Sequence, residues 1–262
     1  MTSIPSPSLP LAAPPPVLRI SEEDLNWALS QGWDDFRAKR GDILVLAFVY
    51  PLAGLVTAVV FMNDALLPLF FPLVAGLSVL GPAVASGFYE IARRRELGLS
   101  SSWRHFLDPV RGRSRSGLIT LSGMLIALFL AWLAAAYLIY TLTIGTSDPL
   151  TTGNMLQRVF TNPEGGAMIV IGNLVGLAFG VVTIVLTLVS FPMVVDRPVD
   201  AMTAVGTSIR AVRTSPGATA SWGLKVVALL VLGSLPAFVG LAVVLPLLGY
   251  ATWHLYTRIV ER

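Results

Sequence analysis

Apolar residues along this chain gather into long uncharged runs, separated by short basic or polar stretches. The runs Ile43 to Met62, Ala65 to Tyr89, Leu118 to Ile144 and Ala167 to Val195 each reach the ~20 residues a helix needs to cross a bilayer core. A further stretch, Ala218 to Tyr256, is interrupted by Gly233-Ser234-Leu235-Pro236, which predicts two short spans joined by a tight turn. The pattern therefore predicts an all-α, polytopic membrane protein with six transmembrane helices, over 43–62, 65–89, 118–144, 167–195, 218–235 and 237–256.

Ahead of the first run, Ser21 and Asp24 form a capping-box-like start, with Glu22, Glu23 and Asp24 in the first turn. Arg37, Lys39 and Arg40 close the last turn before Gly41, so a short, well-capped helix is expected. Its apolar residues Leu25, Ala28, Leu29, Trp33 and Phe36 recur at spacings of three and four, beside Trp27. Such a stripe serves a helix lying on a membrane surface and a helix packed on the rest of the protein alike. Residues 1–18 hold six prolines and no charge and are expected to form a disordered, polyproline-like tail. Lacking a basic start, that tail does not read as a secretory signal. Residues 19–262 form the membrane domain.

The basic residues then give an orientation. Of the 18 Lys and Arg, all but Arg158 and Lys225 fall before span one, between spans two and three, between four and five, or after six. Because positive residues near span ends stay on the cytoplasmic side, both termini are expected there, in a bacterial inner membrane. Each pair of spans also follows a short amphipathic segment ending in basic residues: Leu25 to Arg40, Trp103 to Arg115, and Val199 to Arg213. Three parallel repeats of one amphipathic segment plus one helical hairpin are therefore expected.

Composition agrees with this reading. The chain is 55% hydrophobic and 13% charged, with mean hydropathy +0.75, which excludes a water-soluble enzyme and a disordered chain together. Cysteine is absent, removing disulfides, thiolate metal sites and cysteine nucleophiles, and histidine occurs only at His105 and His254. Those two imidazoles fall on one side of the membrane, yet no cofactor, haem or metal, is expected. The loops carry no Ser-His-Asp order, paired carboxylates or phosphate-cradling glycines, so the chain is not expected to be an enzyme.

Four polar residues stand out as candidates. His254 lies in Ala251-Thr252-Trp253-His254-Leu255-Tyr256, where an interfacial anchoring role competes with ligation. Lys225 sits seven residues into span five, within snorkelling reach of headgroups. Glu90 closes span two directly before Arg93-Arg94-Arg95, suggesting an ion pair within one helix; a pair with Lys225 across spans is the alternative. Asn173 in span four is a candidate buried hydrogen-bonding group. Beside it Gly172, Gly176 and Gly180 form a small-xxx-small stripe that predicts close approach of a neighbouring helix backbone. Prolines 51, 68, 72, 82, 192, 236 and 246 are expected to kink or end spans. Met155, Leu156, Val159 and Phe160 predict a short surface helix before Asn162-Pro163-Glu164 starts span four.

Several runs carry a resemblance. Leu80-Gly81-Pro82-Ala83 with Gly87-Phe88-Tyr89-Glu90, Ser190-Phe191-Pro192-Met193 with Asp196-Arg197, and Pro246 to His254 are similar to an uncharacterised family of bacterial integral membrane proteins, a domain of unknown function. The resemblance extends from about Val17 to Arg262 and implies a six-span inner-membrane protein without catalytic residues to carry over. Members are sometimes labelled cytochrome c oxidase subunit I, a label that fails here: a haem–copper subunit needs about six histidines. The expected role is a non-catalytic accessory or assembly partner of a respiratory complex, working in the lipid bilayer against another membrane protein complex and not on nucleic acid. The alternative is a small-molecule or ion transporter or channel, which would gather Glu90, Asn173 and Lys225 on one cavity.

Overall fold

A computed structural model describes residues 15–38, 54, 78–145, 154–236 and 239–262. The spans expected over 43–62 and over most of 65–89, with Pro51, Pro68 and Pro72, lie outside these residues, as do residues 1–14 of the proline-rich tail. The described residues are helical apart from turns, loops and one antiparallel bridge, Val17 with Val260.

Helix α1 covers 22–38. It starts as its sequence dictates: the Ser21 N–H donates to Asp24 Oδ2 at 2.9 Å and the Asp24 N–H returns to Ser21 Oγ at 3.4 Å. Most of its stripe turns inward, with Leu25, Ala28 and Phe36 inside the core and Trp33 left exposed, so α1 packs on the protein. The helices that follow are α2 (Gly81–Glu96), α3 (Asp108–Arg111), α4 (Arg115–Thr143), α5 (Met155–Thr161), α6 (Pro163–Thr187), α7 (Ser190–Asp196), α8 (Ala201–Thr214), α9 (Pro216–Ser234) and α10 (Leu241–Ile259). The amphipathic segment expected around Trp103 is not one helix but a 3-10 turn, Trp103–Leu107, leading into the single turn of α3.

Among the described residues three helices are long and apolar enough to cross a bilayer: Arg115–Thr143, Pro163–Asp196 and Pro216–Ser234. They match the runs expected over 118–144, 167–195 and 218–235. Their outer faces present Ile126, Leu130, Leu174, Leu177 and Leu224 to the surroundings. Exposed leucine on all-apolar helices is the arrangement that lipid, and not water, stabilises.

Proline explains two details of these spans. The fourth run breaks at Leu188-Val189 into α6 and α7, because Pro192 has no N–H to give the Leu188 carbonyl four residues back. Pro82 sits in the first turn of α2, where no donor is needed. Between α9 and α10 the turn is tight: a Cβ on Gly240 would come 2.7 Å from the Gly233 carbonyl oxygen. The surface helix expected before span four is α5, and Val159 on it joins Tyr140 and Ile144 in a small separate apolar cluster.

Helix α10 departs from the expected sixth span. It begins at Leu241 and is not among the three membrane-crossing candidates, because its second half carries Trp253, His254, Tyr256 and Arg258. That half is instead the centre of the core, where Tyr250, Trp253, Leu255 and Tyr256 are fully buried. Gly249 lets α10 lie against α2, since a Cβ there would come 2.7 Å from the Cβ of Phe88. Phe88 meets Tyr250 edge to face at 5.6 Å and Phe106 at 5.0 Å. With Phe191 and Met193 of α7, the ends of α2, α7 and α10 converge on one apolar core.

Candidate functional site: an ionic layer at the convergent helix ends

The same three helix ends carry the charges. Successive residues on a helix point about 100° apart, so Arg93, Arg94, Arg95 and Glu96 at the end of α2 fan out to different partners. Arg93 grips the buried Glu90 with two nitrogens, Nε at 2.8 Å and Nη2 at 2.9 Å. This bidentate pair holds the Arg93 guanidinium above its ordinary pKa. Arg94 reaches both Glu90 and Asp108 at 3.4 Å and donates to the Ser100 carbonyl at 2.8 Å. His105 Nδ1 lies 2.7 Å from the same Asp108.

Arg95 and Glu96 turn the other way. Asp35 of α1, 7% exposed, lies between two side chains of other helices: Arg95 Nη1 at 2.9 Å and His254 Nε2 at 2.9 Å. Trp27 presents its ring to His254 at 5.8 Å, and the Arg258 guanidinium lies over that indole at 4.1 Å. Glu96 accepts the Trp253 indole N–H at 3.1 Å and Arg262 at 2.7 Å. At the end of α7, Asp196 accepts the Tyr256 hydroxyl at 2.8 Å and stands 3.6 Å from Arg262 and from Arg197. The layer therefore ties α1, α2, α7 and α10 to one another through carboxylates shared between elements.

Each candidate read from the sequence has a definite place. Glu90 forms the ion pair expected within its own helix, and it does not meet Lys225. Lys225 reaches Glu22 at 2.6 Å and Ser221 at 2.9 Å instead, linking α9 to the start of α1 and pulling the Glu22 carboxyl below its ordinary pKa. His254 and His105 are engaged by different carboxylates on opposite sides of α2, Asp35 and Asp108. Among the described residues no cluster of three or more His, Asp or Glu could hold a metal ion.

Span four corrects two expectations. Asn173 is exposed, not buried, and donates only to the Ile169 carbonyl of its own helix at 2.8 Å. Among the described residues, Gly176 has a close neighbour, and that neighbour is a side chain: a Cβ there would come 2.5 Å from the Trp132 ring of α4. Around Gly172 and Gly180 a Cβ would meet none of the described residues within 4 Å, so among these the stripe receives one indole and no helix backbone.

Sequence reasoning passed over Asp35, Glu96 and Asp196. Asp35 did leave a signal, since it stands in helical register with Leu25, Ala28 and Gly32 on the stripe that packs inward. A carboxylate on an apolar face demands a partner.

Outward leucines on three long apolar helices among the described residues, beside a layer of paired charges, define an integral membrane protein. Residues 70–196 match the model of the family described as Predicted integral membrane protein (DUF2189), the class that the resemblance in the sequence implied. The match covers just under half of the chain and contains Glu90, Arg93, Arg94, Asp108 and Asp196 of the layer. No curated protein and no solved structure matches the chain.

Proposed function

We propose that the protein is a non-catalytic accessory or assembly partner of a larger membrane complex, with a respiratory complex as the candidate the sequence resemblance implies. One observation carries this reading. Among the polar residues that sequence offered for chemistry or passage, Lys225 and His254 fasten their helices to Glu22 and Asp35 of α1, and Glu90 holds Arg93 and Arg94 at the end of its own helix. A transporter would gather them along one path, whereas here they work at separate points of a clasp. The same pairing supports a protein without a haem or metal cofactor, because each imidazole already faces its own carboxylate.

The topology belongs to this proposal as well. Six spans, arranged as three repeats with both termini on the cytoplasmic side of a bacterial inner membrane, fit the convergence of α2, α7 and α10, each the end of a repeat's second span. The grouping of Arg93 to Arg95, Arg197, Arg258 and Arg262 at that one end of the bundle supports it too.

Purification of the full chain in mild detergent, followed by mass spectrometry, tests the role. A fixed set of membrane subunits in constant ratio to the chain is expected, and recovery of the chain alone under conditions that preserve such complexes would overturn the reading. Alkaline phosphatase fused after Arg262 should be inactive; strong activity would overturn the topology. Absence of a Soret band in proportion to protein is expected, and a stoichiometric band abolished by His254→Ala would replace this reading with electron transfer.

A further inference from the structure

Arg210 and Arg213 are among the arginines that stay outside the ionic layer. Arg93, Arg94, Arg95, Arg197, Arg258 and Arg262 each have a carboxylate within 4.0 Å. Arg210 and Arg213, both exposed near the end of α8, have none among the described residues. Three residues apart on a helix, they lie on the same side of it.

Together with Pro15, Pro16, Val17 and Thr214 they line an open groove of about 540 Å³. Its walls are fixed. Arg210 Nη2 donates to Oγ1 of the buried Thr207 at 3.0 Å, which orients the guanidinium. Opposite, the Leu18 N–H donates to the Ile259 carbonyl at 2.8 Å and the Ile20 N–H to Ser215 Oγ at 3.0 Å, which pins the 15–20 segment against α8 and α10.

We propose that this groove binds a phosphoryl group, supplied by the headgroup of an anionic phospholipid. Two guanidinium forks without carboxylates present paired donors that match phosphate oxygens, a geometry ammonium groups do not reproduce. The groove's place in the fold selects the source: α9, one of the three membrane-crossing candidates, starts at Pro216, three residues after Arg213. Exposed Leu224 and Val227 follow along α9, so acyl chains would run beside the helix while the phosphate sits at its foot.

Native mass spectrometry of the full-length protein in mild detergent tests this, with phosphatidylglycerol, phosphatidylcholine and inorganic phosphate as separate probes. Retention of phosphatidylglycerol over phosphatidylcholine is expected. Arg210→Gln with Arg213→Gln should weaken it about tenfold or more, Arg213→Gln alone should weaken it less, and Arg104→Gln should not change it. Equal retention by the double variant, or by the two lipids, would overturn the proposal. Protection by inorganic phosphate with no lipid preference would overturn the lipid source and leave the phosphoryl chemistry. Both arginines are exposed, so the variants are expected to melt with the parent protein, and the single variant gives the same reading should the double one fail to fold.

Discussion

Gly32 of α1 and Ala251 of α10 touch backbone to backbone: a Cβ on Gly32 would come 2.7 Å from the Ala251 nitrogen and 2.9 Å from its Cα. No side chain can swing aside at such a contact, because the atoms met are the Ala251 main chain and its Cβ, which cannot rotate away. Gly32→Ala should therefore push α1 off α10, stretch the Asp35–His254 pair and cost about 1–3 kcal/mol. Thermal melting in detergent checks this, and an unchanged melting temperature would mean that α1 does not dock as described.

The Trp132 ring fills the space over Gly176. Gly176→Leu should lower stability by about 1–3 kcal/mol, while Gly172→Leu and Gly180→Leu, where nothing lies close, should be tolerated. Trp132→Ala should relieve most of the Gly176→Leu defect. Equal sensitivity at all three glycines in melting experiments would contradict the single-indole contact.

Asp200 caps α8, accepting the Thr203 N–H at 2.9 Å together with its hydroxyl, and these bonds hold its carboxyl below the ordinary value. The sign follows directly: the charged form is favoured in the folded protein, so this contribution is present above the unfolded carboxylate pKa and is lost as pH falls through the folded one. Asp200→Ala should cost about 1 kcal/mol at neutral pH and progressively less in acid. Melting curves taken from pH 7 down through the carboxylate range test it; a cost that grows in acid would have the wrong sign.

Tyr250 is fully buried beside Phe88, and its hydroxyl has no hydrogen-bond partner among the described residues. Removing an unsatisfied buried hydroxyl relieves its desolvation cost. Tyr250→Phe should leave stability unchanged or raise it by about 1 kcal/mol. Loss of stability in a melting experiment would reveal a partner for that oxygen.

Much of this architecture is written in local pattern. The runs ending at Ile144 and Leu235 fall within a residue of α4 and α9, because an uncharged apolar run of sufficient length has one stable form in lipid. The start of α1 at Ser21 was equally legible, since the cap and its acids are neighbours in sequence. Partner choice was not. Nothing near Asp35 in the chain announces His254, 219 positions away, and periodicity reports which face turns inward without naming what meets it. The glycine stripe names no partner for the same reason, as small residues mark space that an indole, here Trp132 over Gly176, can fill as well as a helix can. In α10, apolar content suggested a lipid-crossing span, but Trp253, His254 and Tyr256 drew its second half into the protein's own core.

The Asp35–His254 pair also sets an order of events during synthesis. The helix that needs α10 for its apolar face and its buried carboxylate is made well before that partner, since Asp35 precedes His254 by 219 positions. At roughly 5–20 residues per second, α1 waits on the order of 10–40 s before His254 exists. Over that interval Asp35 can meet Arg95 of α2 but not His254, and Gly32 lacks the α10 backbone it lies against. The docking of α1 is therefore completed only once α10 has been made.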